Sequence, residues 1–87
     1  MTRMNTRSRA HTASIGKLSE RTGVHIETIR YYERIGLLPE PPRSAGRHRL
    51  YDENHRQRLV FIRRSRRLGF SLEEIRELLG LARGPSA

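Results

Sequence analysis

Glycine cuts this chain into short helical pieces, because Gly23, Gly36 and Gly69 each follow a stretch of helical periodicity and each can end a helix. Ser14 can cap the first piece, whose apolar side carries Ile15 and Leu18 over about two turns. The second piece, His25 to Ile35, sets Ile29 and Tyr32 on one side and spreads Thr28, Arg30, Tyr31 and Arg34 around the rest. Two short helices joined by a Gly-containing turn have the sequence form of a helix-turn-helix, with the second helix as its reading element. Tyr32 is expected inward and Tyr31 outward, and Arg34 is expected in a surface ion pair with a neighbouring acid.

Leu37 to Tyr51 holds three of the four prolines together with Gly46. That content forbids a long helix and suits a short β-hairpin, a wing, closing with Arg49-Leu50-Tyr51. Asp52 can cap a third helix, on which Phe61, Ile62, Ser65 and Leu68 are expected inward and Arg56, Arg63 and Arg67 outward. After Gly69, Ser71-Leu72-Glu73-Glu74 forms a capping box with Phe70 and Ile75 spaced as a hydrophobic staple. Leu72, Ile75, Leu78 and Leu79 are the expected buried stripe of a fourth helix ending near Gly84-Pro85. The predicted fold class is mainly α, a winged helix-turn-helix of about four helices with a small β-hairpin wing. Residues 1–13 read as a disordered basic arm with Arg3, Arg7 and Arg9 and no acid, 14–83 as the folded domain, and 84–87 as a tail.

Charge narrows the function. Eighteen basic residues face nine acidic ones, a formal net charge of +9, and every basic residue except Lys17 is arginine. Arginine's planar fork suits phosphate and guanine better than a point-charge ammonium does, so nucleic acid is the expected partner. From Arg43 to Arg67 there are nine arginines against Asp52 and Glu53, a local balance of +7, while Glu73, Glu74 and Glu77 cluster on the fourth helix. A merely solvated face interleaves its signs, and this one does not. It is read as a surface that grips phosphate on either side of a groove. On the second helix, Thr28 and Arg30 are the candidates for base edges, and Tyr31 for a phosphate.

Other classes fit poorly. At 87 residues with 34% hydrophobic content, only one domain with a modest core is expected, too small for a large enclosed active site. No nucleophile and base pair or phosphate-cradling glycine loop stands out, so the chain is not expected to be an enzyme. Cysteine is absent, and His11, His25, His48 and His55 lack metalloprotease spacing, so neither a metal nor another cofactor is expected. No run of about 20 apolar residues or signal-type segment occurs, and a cytoplasmic protein without a membrane partner is the expectation. An RNA-binding role lacks an aromatic stacking platform.

The order Ile15-Gly16-Lys17-Leu18-Ser19, Thr22-Gly23-Val24, Thr28-Ile29-Arg30-Tyr31-Tyr32-Glu33, Gly36-Leu37-Leu38 resembles the opening of the MerR-type transcription regulators. Arg49-Leu50-Tyr51 and Leu68-Gly69-Phe70-Ser71-Leu72-Glu73-Glu74-Ile75 are similar as well, and the resemblance runs from about Ile15 to Leu81. It implies sequence-specific binding of double-stranded promoter DNA, dimers on that DNA, and RNA polymerase as a further partner. The family's contact roles would fall on Arg30, Tyr31, Arg49, Tyr51, Arg63 and Arg66, with Arg43, Arg47, His48 and Arg67 adding to the basic surface. Where the family's wing carries Gly-Tyr-Arg, this chain has Gly46-Arg47-His48-Arg49, which makes the expected wing contacts more electrostatic. The family continues into a dimerisation helix and an effector segment, and the sequence stops at Ala87, so a monomer in dilute solution is expected. The alternative from another class is an excisionase-like architectural factor, which would act at an attachment site instead of a promoter.

If about six phosphates are engaged, affinity for duplex DNA should fall roughly a thousandfold between about 50 and 200 mM salt. A binding isotherm that does not move with salt would remove the counterion-release argument.

Overall fold

The computed structural model describes residues 12–41 and 50–81. Four helices follow in order: α1 (Ile15–Thr22), α2 (Ile26–Arg34), α3 (Glu53–Arg67) and α4 (Leu72–Leu78). Each starts and stops where local chemistry dictates. Ser14 Oγ accepts from the Lys17 amide at 3.2 Å to cap α1, and Gly23 leaves it at φ 76°, a conformation that costs a residue without Cβ nothing. Ser71 and Glu74 exchange the two bonds of the expected capping box, at 3.1 and 2.8 Å. The α4 helix stops at Leu78, well before Gly84, because Gly80 turns the chain at φ 71°.

At the start of α3 the reciprocal cap pairs Asp52 with a histidine. The His55 amide donates to Asp52 Oδ1 at 3.2 Å, and the Asp52 amide donates to His55 Nδ1 at 3.1 Å. The same ring is buried, donates from Nε2 to the Pro39 carbonyl at 3.1 Å, and meets Tyr51 edge-on at 5.2 Å between centroids. A polar ring is thus enclosed without an unsatisfied atom, and it fastens the chain before Pro41 to the base of α3.

The helices pack with α1 against both α2 and α3, and α3 against α4. Their shared core is Leu18, Val24, Ile29, Tyr32, Leu37, Leu38, Tyr51, Leu59, Ile62 and Ile75. Burying each of the aliphatic members contributes on the order of 1.5–3 kcal/mol. Ile29 and Tyr32 face inward and Tyr31 outward, as the periodicity indicates.

Four expectations are corrected. On α3 the buried stripe is His55, Leu59, Ile62 and Ser65, whereas Phe61 and Leu68 are exposed, Leu68 by 78%. At about 100° per residue Phe61 and Leu68 lie roughly 105° and 125° from the centre of that stripe, so neither can share it. On α4, Leu78 sits about 90° off the line through Leu72, Ile75 and Leu79; it is 57% exposed. Ala13, assigned above to the arm, belongs to the fold: its amide and carbonyl exchange two 2.8 Å bonds with Tyr51, an antiparallel bridge. Residues 1–11 and 82–87 lie outside the described residues, as does 42–49, the body of the expected wing. Among the described residues that bridge is the extended pairing seen, and no β-hairpin is present.

Tyr51 also ties the extended segment to α2, its hydroxyl donating to Glu33 Oε2 at 2.6 Å. Tyr51→Phe keeps the ring and removes this charge-assisted bond, so urea unfolding should show a loss of about 1.5–3 kcal/mol. Unchanged stability would show that water replaces the bond at no cost. Asp52 gives a pH signature. Burial raises its pKa, but the hydrogen bonds from His55 outweigh that and hold it below the ordinary 3.8. A lowered folded pKa means the contribution is full above that ordinary value and is lost as pH falls through the folded one. Asp52→Ala should therefore cost about 1 kcal/mol at neutral pH as a lost cap and flatten the acid limb of stability. An identical acid limb in both proteins would refute that role.

Candidate nucleic-acid interface

The side of α2 turned away from the core carries Arg30, Tyr31 and Arg34, all exposed, with Thr28 half-buried at its edge. What lies beneath fixes this display. Around the turn, Ser19 Oγ donates to the Val24 carbonyl at 2.7 Å, Thr22 Oγ1 donates to the Leu18 carbonyl at 2.8 Å, and the Val24 amide donates to Thr22 Oγ1 at 3.2 Å. At the other end of α2, Arg76 of α4 donates from Nη2 to the Ile35 carbonyl at 2.8 Å. Together with the Tyr51 bond to Glu33, these contacts lock the nine residues of α2 on its inward side and both ends.

Next to α2, Arg63, Arg66 and Arg67 of α3 line a groove of about 340 Å³ with His25, Thr28, Tyr32 and the Gly23-Val24 turn. The Arg63 guanidinium lies flat against that turn: a Cβ on Gly23 would come within 3.3 Å of its Cζ. Arg66 reaches back, donating from Nη1 to the Phe70 carbonyl at 2.9 Å. Burial pushes the Tyr32 hydroxyl pKa above its ordinary 10.0, Arg66 opposes that shift and Tyr31 adds to it. The phenol therefore enters the groove as a neutral hydroxyl able to donate.

Of the residues singled out in the sequence, Thr28, Arg63, Arg66 and Arg67 are brought together in this groove, and Arg30 and Tyr31 stand beside it on α2. Tyr51 is a correction. It is 1% exposed with its hydroxyl committed to Glu33, so it is a core residue and cannot reach a ligand without unfolding its surroundings. Arg43, Arg47, His48 and Arg49 lie outside the described residues. Arg34 differs too: its guanidinium sits 5.6 Å over the Tyr31 ring, a cation–π contact that steadies an exposed aromatic. His25 was missed. Its place in the groove follows from standing two residues after Gly23, at the turn into α2, which periodicity within α2 alone does not reveal.

The outward surface is thus a short rigid helix presenting arginine, threonine and tyrosine, flanked by a second row of arginines at a groove. That is a shape and charge pattern suited to duplex DNA. Among the described residues, no group of three acidic or histidine side chains is placed to hold a metal ion. No described helix is long and apolar enough to cross a membrane.

Residues 13–81 match the family described as MerR HTH family regulatory protein. The mercuric resistance operon regulatory protein of Bacillus cereus is 52% identical over 67 residues, covering 77% of this chain and 51% of its own length. The crystal structure of the transcription regulator PbrR691 from Ralstonia metallidurans CH34, in complex with lead(II), superposes with a TM-score of 0.72 at 53% identity, covering 78% of this chain and 53% of that one. HiNmlR, a MerR family regulator lacking the sensor domain and bound to promoter DNA, superposes with a TM-score of 0.73 at 28% identity over 79% of this chain and 52% of its own. The chain spans about half the length of the curated relatives it matches. The family match over residues 13–81 and these likenesses together place the chain in one group: it belongs to the MerR HTH family of transcription regulators.

Proposed function

We propose that this chain is the DNA-reading unit of a promoter regulator, with α2 in the major groove and the arginines of α3 on the flanking backbone. The observation that carries the reading is the paired surface: an outward α2 bearing Thr28, Arg30 and Tyr31, and beside it the groove lined by Arg63, Arg66 and Arg67. Arg30 and Thr28 reach base edges, Arg30 by a bidentate bond to guanine and Thr28 through its hydroxyl and methyl. Tyr31, steadied by Arg34, directs its hydroxyl at a phosphate. Arg63 and Arg67 hold backbone phosphates and Arg66 assists from the groove wall. Arg43, Arg47, His48 and Arg49, outside the described residues, add backbone contacts to this interface. Support for a promoter target comes from relatives, one of which is bound to promoter DNA. Two copies meeting on a two-fold-symmetric site beside RNA polymerase complete the proposed assembly.

Reading and holding separate by mutation. Arg30→Ala should cost about 1–3 kcal/mol on a preferred site selected from a random pool and much less on random duplex, relaxing specificity. Arg63→Ala should weaken binding to every sequence alike and reduce the salt slope by about one unit. Measured across a salt series, equal losses for Arg30→Ala on both duplexes combined with lost sequence preference for Arg63→Ala would reverse the two roles.

A further inference from the structure

The groove between the α1–α2 turn and α3 holds two titratable side chains, His25 and Tyr32, that the DNA-reading role above does not use. His25 is the N-cap residue of α2, is exposed, and makes no capping hydrogen bond with its side chain. Its ring is therefore not spent on holding the helix start. It shares the groove with Arg63, Arg66 and Arg67 of α3 and with Thr28 and Tyr32 of its own helix. The charged and titratable groups around it are those three arginines across the groove, together with Tyr32 and, in the first turn of α2, Glu27. From α1 the turn contributes only Gly23 and Val24. The guanidinium of Arg63 lies beside Gly23, at the turn that leads into α2.

Such a groove has donors from two elements and room for a tetrahedral anion between them. We infer that it seats one backbone phosphate of the duplex, that His25 is a contact to that phosphate, and that His25 takes up a proton as DNA binds. The inference rests on the DNA-binding reading and adds to it a ligand position and a linkage. The physical step is simple. A seated phosphate brings negative charge into the groove and offers an acceptor for a charged imidazole, so the bound state favours the protonated ring. No covalent chemistry is involved, and the proton comes from solvent.

Linkage then fixes the sign. The bound-state midpoint of His25 lies above the free-state midpoint, so affinity is greatest below the free midpoint, falls as pH rises through the bound one, and is flat outside that window. A one-unit rise of the midpoint corresponds to about a tenfold gain in affinity across the window.

The test uses the whole 87-residue chain and a short mixed-sequence duplex, because a phosphate contact does not require the preferred site. The His25 ring Cε1 proton is followed by NMR from about pH 5 to 8, free and saturated with duplex. The expected result is a midpoint about one unit higher in the complex. In parallel, fluorescence anisotropy at fixed ionic strength should show wild-type affinity rising about tenfold from about pH 8 to 6, and His25→Gln losing most of that rise. The same His25 midpoint free and bound, or an undiminished pH response in His25→Gln, overturns the phosphate contact while leaving DNA binding intact. Failure of the chain to bind any duplex at about 50 mM salt overturns both the contact and the reading beneath it.

Discussion

A nine-residue helix has no independent stability in water, so everything α2 presents outward depends on what grips its other side. The grip is distributed. Ile29 and Tyr32 bury into the core, Tyr51 reaches Glu33 from the extended segment, and Arg76 of α4 holds the Ile35 carbonyl at the end of the helix. Each tie comes from a different part of the chain. The reading helix is therefore stable only when the whole domain is assembled, and its aim is set by the core and not by its own propensity. That arrangement suits a module whose task is to hold a few side chains at fixed spacing against a stiff partner.

Much of this was legible in the sequence because helix boundaries are written in local chemistry. Ser14, Gly23, Asp52 and the Ser71–Glu74 pair act within three or four residues of themselves, and each does what its type predicts. Tyr32 inward and Tyr31 outward followed from periodicity in the same way. Long-range matters were not legible. Nothing near Tyr51 indicates that its hydroxyl will meet Glu33, 18 positions earlier, and the family resemblance implied a DNA-contacting role for a residue that is buried. His55 carries no apolar signal, yet it is buried because the Asp52 amide and the Pro39 carbonyl meet the two nitrogens of its ring. His25 entered the groove through the geometry of the turn and the placement of α3, which no pattern within its own helix encodes.

The arginines also divide in a way composition could not foresee. Arg58, Arg66 and Arg76 donate to carbonyls of Leu37, Phe70 and Ile35, and Arg56 pairs with Glu53, with Nε 3.0 Å from the carboxylate. These guanidinium groups close helix ends and loops. Others, Arg30, Arg63 and Arg67 among them, are turned to the outer surface of α2 and α3. One residue type thus serves as internal mortar and as interface, since a planar fork of donors satisfies carbonyls as readily as phosphates. The positive field reaching solvent comes from both groups, and the geometry of recognition rests on the second together with Arg66, which closes its loop and lines the groove as well.

The bridge between Ala13 and Tyr51 has a consequence for the segment between Pro41 and Leu50. Pro41 is buried at one end, its neighbour Pro39 is tied to His55, and Leu50 precedes the bridge at the other, so both attachment points are fixed by the body of the domain. The entropy of closing a loop between fixed points grows slowly, by about 0.6 kcal/mol for each doubling of its length. The fold therefore specifies where the chain leaves the helical body and where it returns, so a change in the number of residues between those two points places little strain on the four helices.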